Sequence, residues 1–430
     1  MKIYGYIVWI VLVSSFAGCK SLCLKKTFRN EALGDAYFKT NQYANAIKYY
    51  EKAYQRRKEA IVAFKLGESY GLNSDYELAE KCFAPYIDNH QSNSKYSKLY
   101  AKWNMCIGNY EVAKKWWLIY RDLSHENIDN RMRSCDSAMI WRTNNSPEYE
   151  IKNLTSLNTG FSEICPAFYP NGIVFASSRP GMFFEKESGA TGEHYFDLYG
   201  ATFINDSIFS KPSFFSLSIN TPEHETAAIF DTTGSVIYYT KGETDTTNTL
   251  KIKILQSEKK LLTWSNPKQF VLNDSVASFG QPFMNKKGTV FVFSSNIAGG
   301  YGGTDLYISF KNDIGWTKPE NLGPIINTPE NEYYPFLTDK GDLYFTSDGH
   351  IGLGGYDIFV AKFSAQGWTK VENLNTPINS SFDDLSFITS PNMAYGYFSS
   401  NRRGGKGKED LYEFVLKPNI KNKNSSLFNK

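Results

Sequence analysis

The chain has 430 residues, of which 47 are basic and 44 acidic, so its formal net charge is only +3. This length predicts more than one domain. The balanced charge, without a basic stripe interleaved with aromatic residues, argues against a nucleic-acid partner.

Residues 1–18 form a predicted signal peptide. Lys2 precedes a short apolar run, Ile3 to Phe16, which is too short to span a bilayer. The segment from Phe16 to Cys19 resembles a bacterial lipobox, which implies that Cys19 becomes the first residue of the mature chain and carries the lipid. Residues 19–26 would then be a tether. The alternative is an ordinary signal peptide cut nearby, with Cys19 incidental.

The cysteines show no CxxC pair, so the sequence suggests neither a zinc knuckle nor a redox motif. Cys82, Cys106 and Cys135 lie in apolar helical contexts and are expected to be small buried residues. The disulfide state of these three cysteines and of Cys165 is left open.

Residues 27–126 carry three copies of a helical repeat. A small residue opens each copy at Gly34, Gly67 and Ala101, and alanine and aromatic residues follow at matching offsets. The pattern resembles the tetratricopeptide repeat (TPR), in which small residues let antiparallel helices approach and aromatic side chains fill the remaining space. We therefore predict an α-solenoid, followed over residues 127–148 by a capping helix and a linker.

A second repeat covers residues 149–416. Its marker is a triplet of Asp, an aliphatic and an aromatic residue at the end of each copy, starting at Asp197, Asp305, Asp357 and Asp410. Leu250 to Ile254 lies where the spacing places the triplet of a degenerate further copy. Each copy predicts four short strands bounded by Gly, Pro and Asn. The fold class is therefore α followed by all-β, with a β-propeller of five blades, or six if further sequence contributes, and a polar tail over residues 417–430.

The two ends of this array predict how the ring closes. The first copy begins with a lone strand, Tyr149 to Leu154, and the last copy stops after the strand from Asp410 to Val415. The first strand is therefore expected to complete the last blade.

An acidic residue precedes the second strand of four copies, at Glu163, Glu225, Glu332 and Asp383, whereas the remaining copy has Phe279. One hypothesis is a carboxylate ring at one mouth of the central channel, which would attract a cation or a basic peptide. The alternative is that each carboxylate accepts backbone N–H bonds within its own turn and fixes that loop.

Catalytic signatures are missing from the sequence, which has no GxSxG, HExxH or P-loop motif. His224 and His350 are expected to be solvated loop residues. We expect no catalytic residue, no metal and no cofactor.

The propeller copies, with their SSR or SSN, GGYGGTDLY and NTPE segments, resemble the WD40-like repeats of TolB-related envelope proteins. Together with the TPR-like repeats and the lipobox, they resemble the N-terminal part of an outer-membrane family found with type IX secretion and gliding machinery. Members of that family continue into an OmpA-type domain that binds peptidoglycan. This sequence stops at Lys430, which puts direct peptidoglycan attachment in doubt.

The resemblance implies a non-catalytic scaffold, anchored through Cys19 to the periplasmic face of the outer membrane, with envelope proteins as partners. The alternative is a propeller enzyme or a glycan-binding envelope lipoprotein.

Overall fold

A computed structural model describes residues 28–143, 148–181, 187–205, 208–244, 250–261, 263–272 and 276–417. The predicted signal peptide, Cys19 and the tether lie outside these residues, as does the tail after residue 417. The chain divides into two compact units. The first runs to Trp103 and includes Ile119–His125 and Glu187–Gly192, and the second holds the rest of the chain.

The described N-terminal part contains seven α-helices and one short 3₁₀-helix, Ile87–His90. The helices are α1 (28–39), α2 (Tyr43–Arg56), α3 (Ala60–Leu72), α4 (Tyr76–Phe83), α5 (Ser94–Cys106), α6 (Tyr110–Ser124) and α7 (Asp129–Arg142). None of the described helices is both long enough and apolar enough to cross a bilayer.

The small residues of the helical repeat lie against aromatic rings. A Cβ atom at Gly34 would stand 2.5 Å from the ring of Tyr50, and one at Gly67 would stand 2.7 Å from the ring of Phe83. Both rings are buried, so neither can yield to a larger neighbour. The predicted role of glycine in this repeat, close helix approach with an aromatic filler, is confirmed in the first two copies.

The described residues from 149 onward form five antiparallel sheets, the blades of a propeller. Blade 1 holds β2 (Glu163–Tyr169), β3 (Gly172–Ser177), β4 (Asp197–Asn205), β5 (Ile208–Phe209) and β6 (Ser213–Phe214). Blade 2 holds β7 (His224–Phe230), β8 (Val236–Thr244), β9 (Leu250–Lys260), β10 (Thr263–Trp264) and β11 (Lys268–Gln269). Blade 3 holds β12 (Phe279–Met284), β13 (Val290–Ser295), β14 (Asp305–Asn312), β15 (Gly315–Trp316) and β16 (Glu320–Asn321). Blade 4 holds β17 (Glu332–Leu337), β18 (Leu343–Ser347), β19 (Asp357–Ser364) and β20 (Gly367–Asn373).

Blade 5 is built from both ends of the array. It combines β21 (Asp384–Thr389), β22 (Tyr395–Ser400) and β23 (Asp410–Leu416) with β1 (Tyr149–Asn153). Tyr149 lies opposite Leu416 and Asn153 lies opposite Tyr412 in an antiparallel pair, which we call the closing pair. The predicted closure and the predicted number of five blades are both confirmed in the described chain.

Each interface between neighbouring blades has its own hydrophobic cluster. Neighbouring residues of β3 in blade 1 belong to different clusters. Ile173 belongs to the cluster shared with blade 5, which includes Tyr397, and Val174 belongs to the cluster shared with blade 2, which includes Tyr239. The same alternation places Tyr344 against blade 5 and Phe345 against blade 3. Because side chains alternate along a strand, a middle strand buried on both faces reads as a continuous apolar run.

Candidate functional site

Four loops that lead into the first strand of a blade are fixed by one repeated arrangement, which we call the loop lock. A carboxylate at the start of the strand accepts hydrogen bonds from the backbone N–H and the hydroxyl of a Thr or Ser four residues earlier. The pairs are Thr159 with Glu163, Thr221 with Glu225, Thr328 with Glu332 and Ser380 with Asp384, at 2.5–2.9 Å.

The residue before each Thr or Ser is an Asn that extends the lock. Its side chain accepts from the N–H and donates to the C=O of one residue in the third strand of the preceding blade. The pairs are Asn158 with Leu411, Asn220 with Leu198, Asn327 with Leu306 and Asn379 with Ile358. Each lock therefore joins two neighbouring blades.

Glu163, Glu225 and Glu332 are fully buried. They engage their own loops, which is the loop-fixing alternative of the two hypotheses, and they do not line the cavity described below. Within the described part of the chain, no cluster of three or more His, Cys, Asp or Glu side chains has the arrangement of a metal site.

The assignment of Asp383 to this set is wrong by one residue. Strand register places Asp384 opposite Ser400, as Glu332 lies opposite Ser347. Asp383 instead accepts from the Tyr356 N–H at 2.9 Å and from the Asn401 side chain at 3.1 Å. The prediction was shifted by one residue because the last copy lacks the Pro that marks this strand in three other copies. Phe387, and not Ser386, stands at the position of that Pro.

The four buried carboxylates differ in charge compensation. Arg179 lies 3.1 Å from Glu163, and Arg402 lies 2.5 Å from Asp384. Within the described part of the chain, neither Glu225 nor Glu332 forms an ion pair with an arginine. Burial raises the pKa of Glu225 to about 8 and that of Glu332 to about 7. Two locks are therefore ion-paired, whereas two hold a carboxyl group that protonates near neutral pH.

A cavity of about 630 Å³ occupies the centre of the propeller. It is lined by the five innermost strands, β2, β7, β12, β17 and β21, and by the turns that follow them. One ring of wall residues is entirely apolar: Ala167, Ile229, Phe283, Phe336 and Ile388. The charged residues lining the described cavity are Asp231, Lys286 and Asp339, all in those turns.

At the end of the cavity away from these turns, five non-glycine residues adopt the left-handed backbone conformation, and we call them the bulge ring. The residues are Cys165, Ala227, Gln281, Tyr334 and Ser386, with φ between 45° and 56°. Each stands at a β-bulge between the first and second strands of its blade. Such a conformation costs about 1–3 kcal/mol per residue, and repeated bulges next to a cavity are typical of functional sites.

Hydroxyl groups of the neighbouring blade accept hydrogen bonds from two backbone N–H groups of this ring. The Gln281 N–H donates to Thr240 Oγ1 at 2.8 Å, and the Cys165 N–H donates to Ser399 Oγ at 3.1 Å. Burial raises the pKa of the Cys165 thiol, which belongs to this ring, to about 12. All four cysteines in the described part of the chain, Cys82, Cys106, Cys135 and Cys165, are free thiols.

The histidines are not solvated loop residues, contrary to expectation. The ring Nδ1 of His224 accepts from the Phe196 N–H at 3.2 Å, and burial lowers the pKa of His224 to about 4. His350 Nε2 lies 2.9 Å from the Ile326 carbonyl oxygen, and burial lowers the pKa of His350 as well. Both imidazoles therefore stay neutral at pH 7 and serve packing and loop geometry.

A pair of carboxylates shares one hydroxyl at the loop end of blades 1 and 5. Ser162 Oγ lies 2.5 Å from Glu193 Oε2 and 2.5 Å from Glu409 Oε2. Burial raises the pKa of Glu409 to about 7, with a further contribution from the nearby charge of Glu193. Sequence reasoning missed this pair because its members come from unrelated loops and no motif joins them.

Within the second unit, helix α7 lies on the loops of blade 4. Arg131 donates to Glu330 Oε1 at 2.6 Å and to the Asp348 carbonyl oxygen at 2.9 Å. Ser134 Oγ accepts from the Gly352 N–H at 3.2 Å. These loops therefore already hold one helix through polar contacts.

No protein-family model matches the chain, and no curated protein matches it. Among solved structures, a glycoside hydrolase is similar over 68% of this chain and 96% of its own, with 10% identity and a TM-score of 0.44. TolB from Acinetobacter baumannii is similar over 60% of this chain, with 14% identity and a TM-score of 0.34, and this chain spans 56% of its length. The first TPR of Spaghetti (RPAP3), bound to the HSP90 peptide SRMEEVD, matches 27% of this chain and 94% of its own, with 20% identity and a TM-score of 0.25.

Proposed function

We propose that this chain is a non-catalytic scaffold of an envelope complex, of the kind associated with type IX secretion or gliding. In this proposal Cys19 carries the lipid that anchors it to the periplasmic face of the outer membrane. The helical repeats and the propeller loops bind protein partners.

One observation carries the proposal: the propeller loops are locked in the same way in four blades, and those of blade 4 already hold helix α7. A surface that is rigid before association loses little conformational entropy on binding, so more of the contact energy appears as affinity. Repeated locking therefore favours a docking surface for protein segments.

Tyr301 offers a point at which to test this surface. It lies in the loop between β13 and β14 and is 51% exposed, and aromatic residues of this kind often anchor interfaces. Ile314 lies in the turn at the other end of β14 and is 98% exposed, so it provides a matched control on the opposite side of the same blade.

The experiment is in-cell cross-linking followed by affinity purification of the full-length chain, its Tyr301→Ala variant and its Ile314→Ala variant. We expect wild-type protein and the Ile314 variant to recover the same envelope proteins, and the Tyr301 variant to recover at least fivefold less of one of them. Recovery of no envelope protein above an unrelated lipoprotein control would refute the scaffold.

The second candidate, a propeller enzyme or glycan-binding lipoprotein, rests on Glu193 and Glu409. These two carboxyl groups share a hydroxyl, and the one whose pKa burial raises to about 7, Glu409, could act as a general acid. Reducing-end release from envelope polysaccharides, abolished by Glu409→Gln and retained by Glu413→Gln, would support it over the scaffold.

A further inference from the structure

We propose that the central cavity of the propeller binds a neutral, elongated and mainly hydrophobic small molecule, which enters between the first turns of the blades and places a polar end group against the ring of bulge residues. This inference is independent of the scaffold proposal, because the cavity and the loop locks involve different residues.

The size and enclosure of the cavity support this assignment. Its volume of about 630 Å³ falls within the range of about 300–1,000 Å³ that is common for small-molecule sites. Exposed turn residues such as Pro170, Lys286 and Pro391 surround one end, whereas buried Cys165 and Ser386 stand at the other. The turns therefore form the open end of the cavity, and the ring that contains Cys165 and Ser386 forms its more closed end.

The wall residues of the cavity favour a ligand whose central part is apolar. The ring of Ala167, Ile229, Phe283, Phe336 and Ile388 presents no charged or hydrogen-bonding side chain. A charged group placed at this level would lose its hydration without compensation, so it is excluded on energetic grounds.

The closed end selects a neutral polar group. Gln281, Tyr334, Ser386 and Cys165 line it and offer amide, hydroxyl and thiol groups, but no formal charge. An alcohol, ketone or amide can exchange hydrogen bonds there, whereas an anion finds no cation. The nearest cationic lining residue in the described chain, Lys286, lies at the opposite end and is 2.6 Å from Asp339.

The left-handed backbone conformation of the bulge ring also supports a ligand site in this cavity. Five residues of five different types share this conformation in all blades, although only glycine adopts it without strain. Strain that is repeated around one cavity indicates that the ring geometry matters more than the ease of forming each strand.

The first test uses N-phenyl-1-naphthylamine, a neutral apolar fluorophore, titrated into the full-length chain. We expect saturable fluorescence enhancement, at least tenfold weaker binding by the Ile229→Trp variant, which fills the cavity, and unchanged binding by Ile314→Trp, which adds the same side chain to the surface. The anionic analogue 1-anilinonaphthalene-8-sulfonate should bind at least tenfold more weakly than the neutral probe.

The second test needs no variant, in case Ile229→Trp does not fold. 1-Decanol, decanoate and decylammonium compete with bound N-phenyl-1-naphthylamine for the full-length chain. We expect the neutral alcohol to displace the probe at concentrations at least tenfold lower than either charged analogue, because a charge loses its hydration in the apolar cavity. Equal displacement by the three compounds, or probe binding equal in wild type and a folded Ile229→Trp variant, would overturn the proposal.

Discussion

Asn158 forms both hydrogen bonds of a ladder rung with Leu411: the Leu411 N–H donates to Asn158 Oδ1, and Asn158 Nδ2 donates to the Leu411 carbonyl oxygen, each at 2.9 Å. The two residues come from opposite ends of the propeller sequence. This contact therefore reinforces the closing pair, the place inside blade 5 where the two ends of the propeller sequence meet without a covalent connection.

Replacing Asn158 by Ala should destabilise the propeller, because the Leu411 N–H then loses its partner in a buried site, whereas the Leu411 carbonyl oxygen keeps only the Leu154 N–H. An unsatisfied buried group costs about 1–3 kcal/mol. We expect a lower midpoint in chemical denaturation and faster amide exchange in β1. The matched control is Asn327→Ala, which removes the same pair of bonds to blade 3, where the chain joins the third strand directly to the outer strands. Exchange in β1 that is equally fast in both variants would contradict a special role for Asn158.

Protonation of two loop locks should make stability depend on pH. The pKa values of Glu225 and Glu332 in the folded chain, about 8 and about 7, lie above the ordinary carboxyl value. Their contribution to the free energy of unfolding is therefore fully present below the ordinary carboxyl pKa near 4.5, and it is lost as the pH rises through the folded-state values of about 7 and about 8. Each unit of difference between the folded and unfolded pKa is worth about 1.4 kcal/mol, so we expect the free energy of unfolding to decline by several kcal/mol between pH 5 and pH 8.

The variant that tests this is Glu225→Gln, which keeps an acceptor for Thr221 but cannot ionise. Its free energy of unfolding should fall less between pH 5 and pH 8 than that of the wild type, as measured by urea denaturation at each pH. Glu163→Gln is the control, since Arg179 compensates that carboxylate, and its loss should leave a buried arginine uncompensated and lower stability at every pH. Identical pH profiles for wild type and Glu225→Gln would count against the raised pKa.

The closing pair should be required for the whole ring. Lys152 lies opposite Glu413 in the ladder, at a position whose backbone N–H faces β23, and Lys152→Pro removes this N–H and distorts the strand. We expect a loss of cooperative unfolding and of near-ultraviolet circular dichroism. Lys152→Ala, which changes the same exposed side chain and keeps the N–H, should change neither. A cooperative transition that survives Lys152→Pro would show that the blades hold together without β1.

Close packing of the helices predicts that a larger residue at Gly67 destabilises the helical repeats. Gly67→Ala places a Cβ atom 2.7 Å from the Phe83 ring and should destabilise the helical repeats by about 1–3 kcal/mol through overpacking. Gly160→Ala is a matched control, because nothing lies within 4 Å of its Cβ position. Thermal melting followed at 222 nm separates the two variants, and an unchanged midpoint for Gly67→Ala would mean that Phe83 can move aside.

Much of the fold follows from spacing alone. The Asp triplets mark the third strand of a blade, and their period gave five blades and the closing pair. Carboxylates that fix their own loops were one of the two alternatives drawn from the sequence, but no pattern indicated the Asn that joins each loop to the preceding blade. Asp383 and Asp384 could not be distinguished, because a one-residue shift depends on the position of a bulge. Glu193 and Glu409 meet only through the folding of the ring, so no local pattern predicts them.

The closing pair also bears on how the protein is made. β1 emerges from the ribosome some 260 residues before β23, so its hydrogen-bonding edge stays without its partner through most of translation. A nascent chain that stalls within this interval presents that edge to other chains, and edges of this kind promote aggregation. Efficient biogenesis of this protein should therefore depend on chaperones that shield strand edges until synthesis of the last blade is complete.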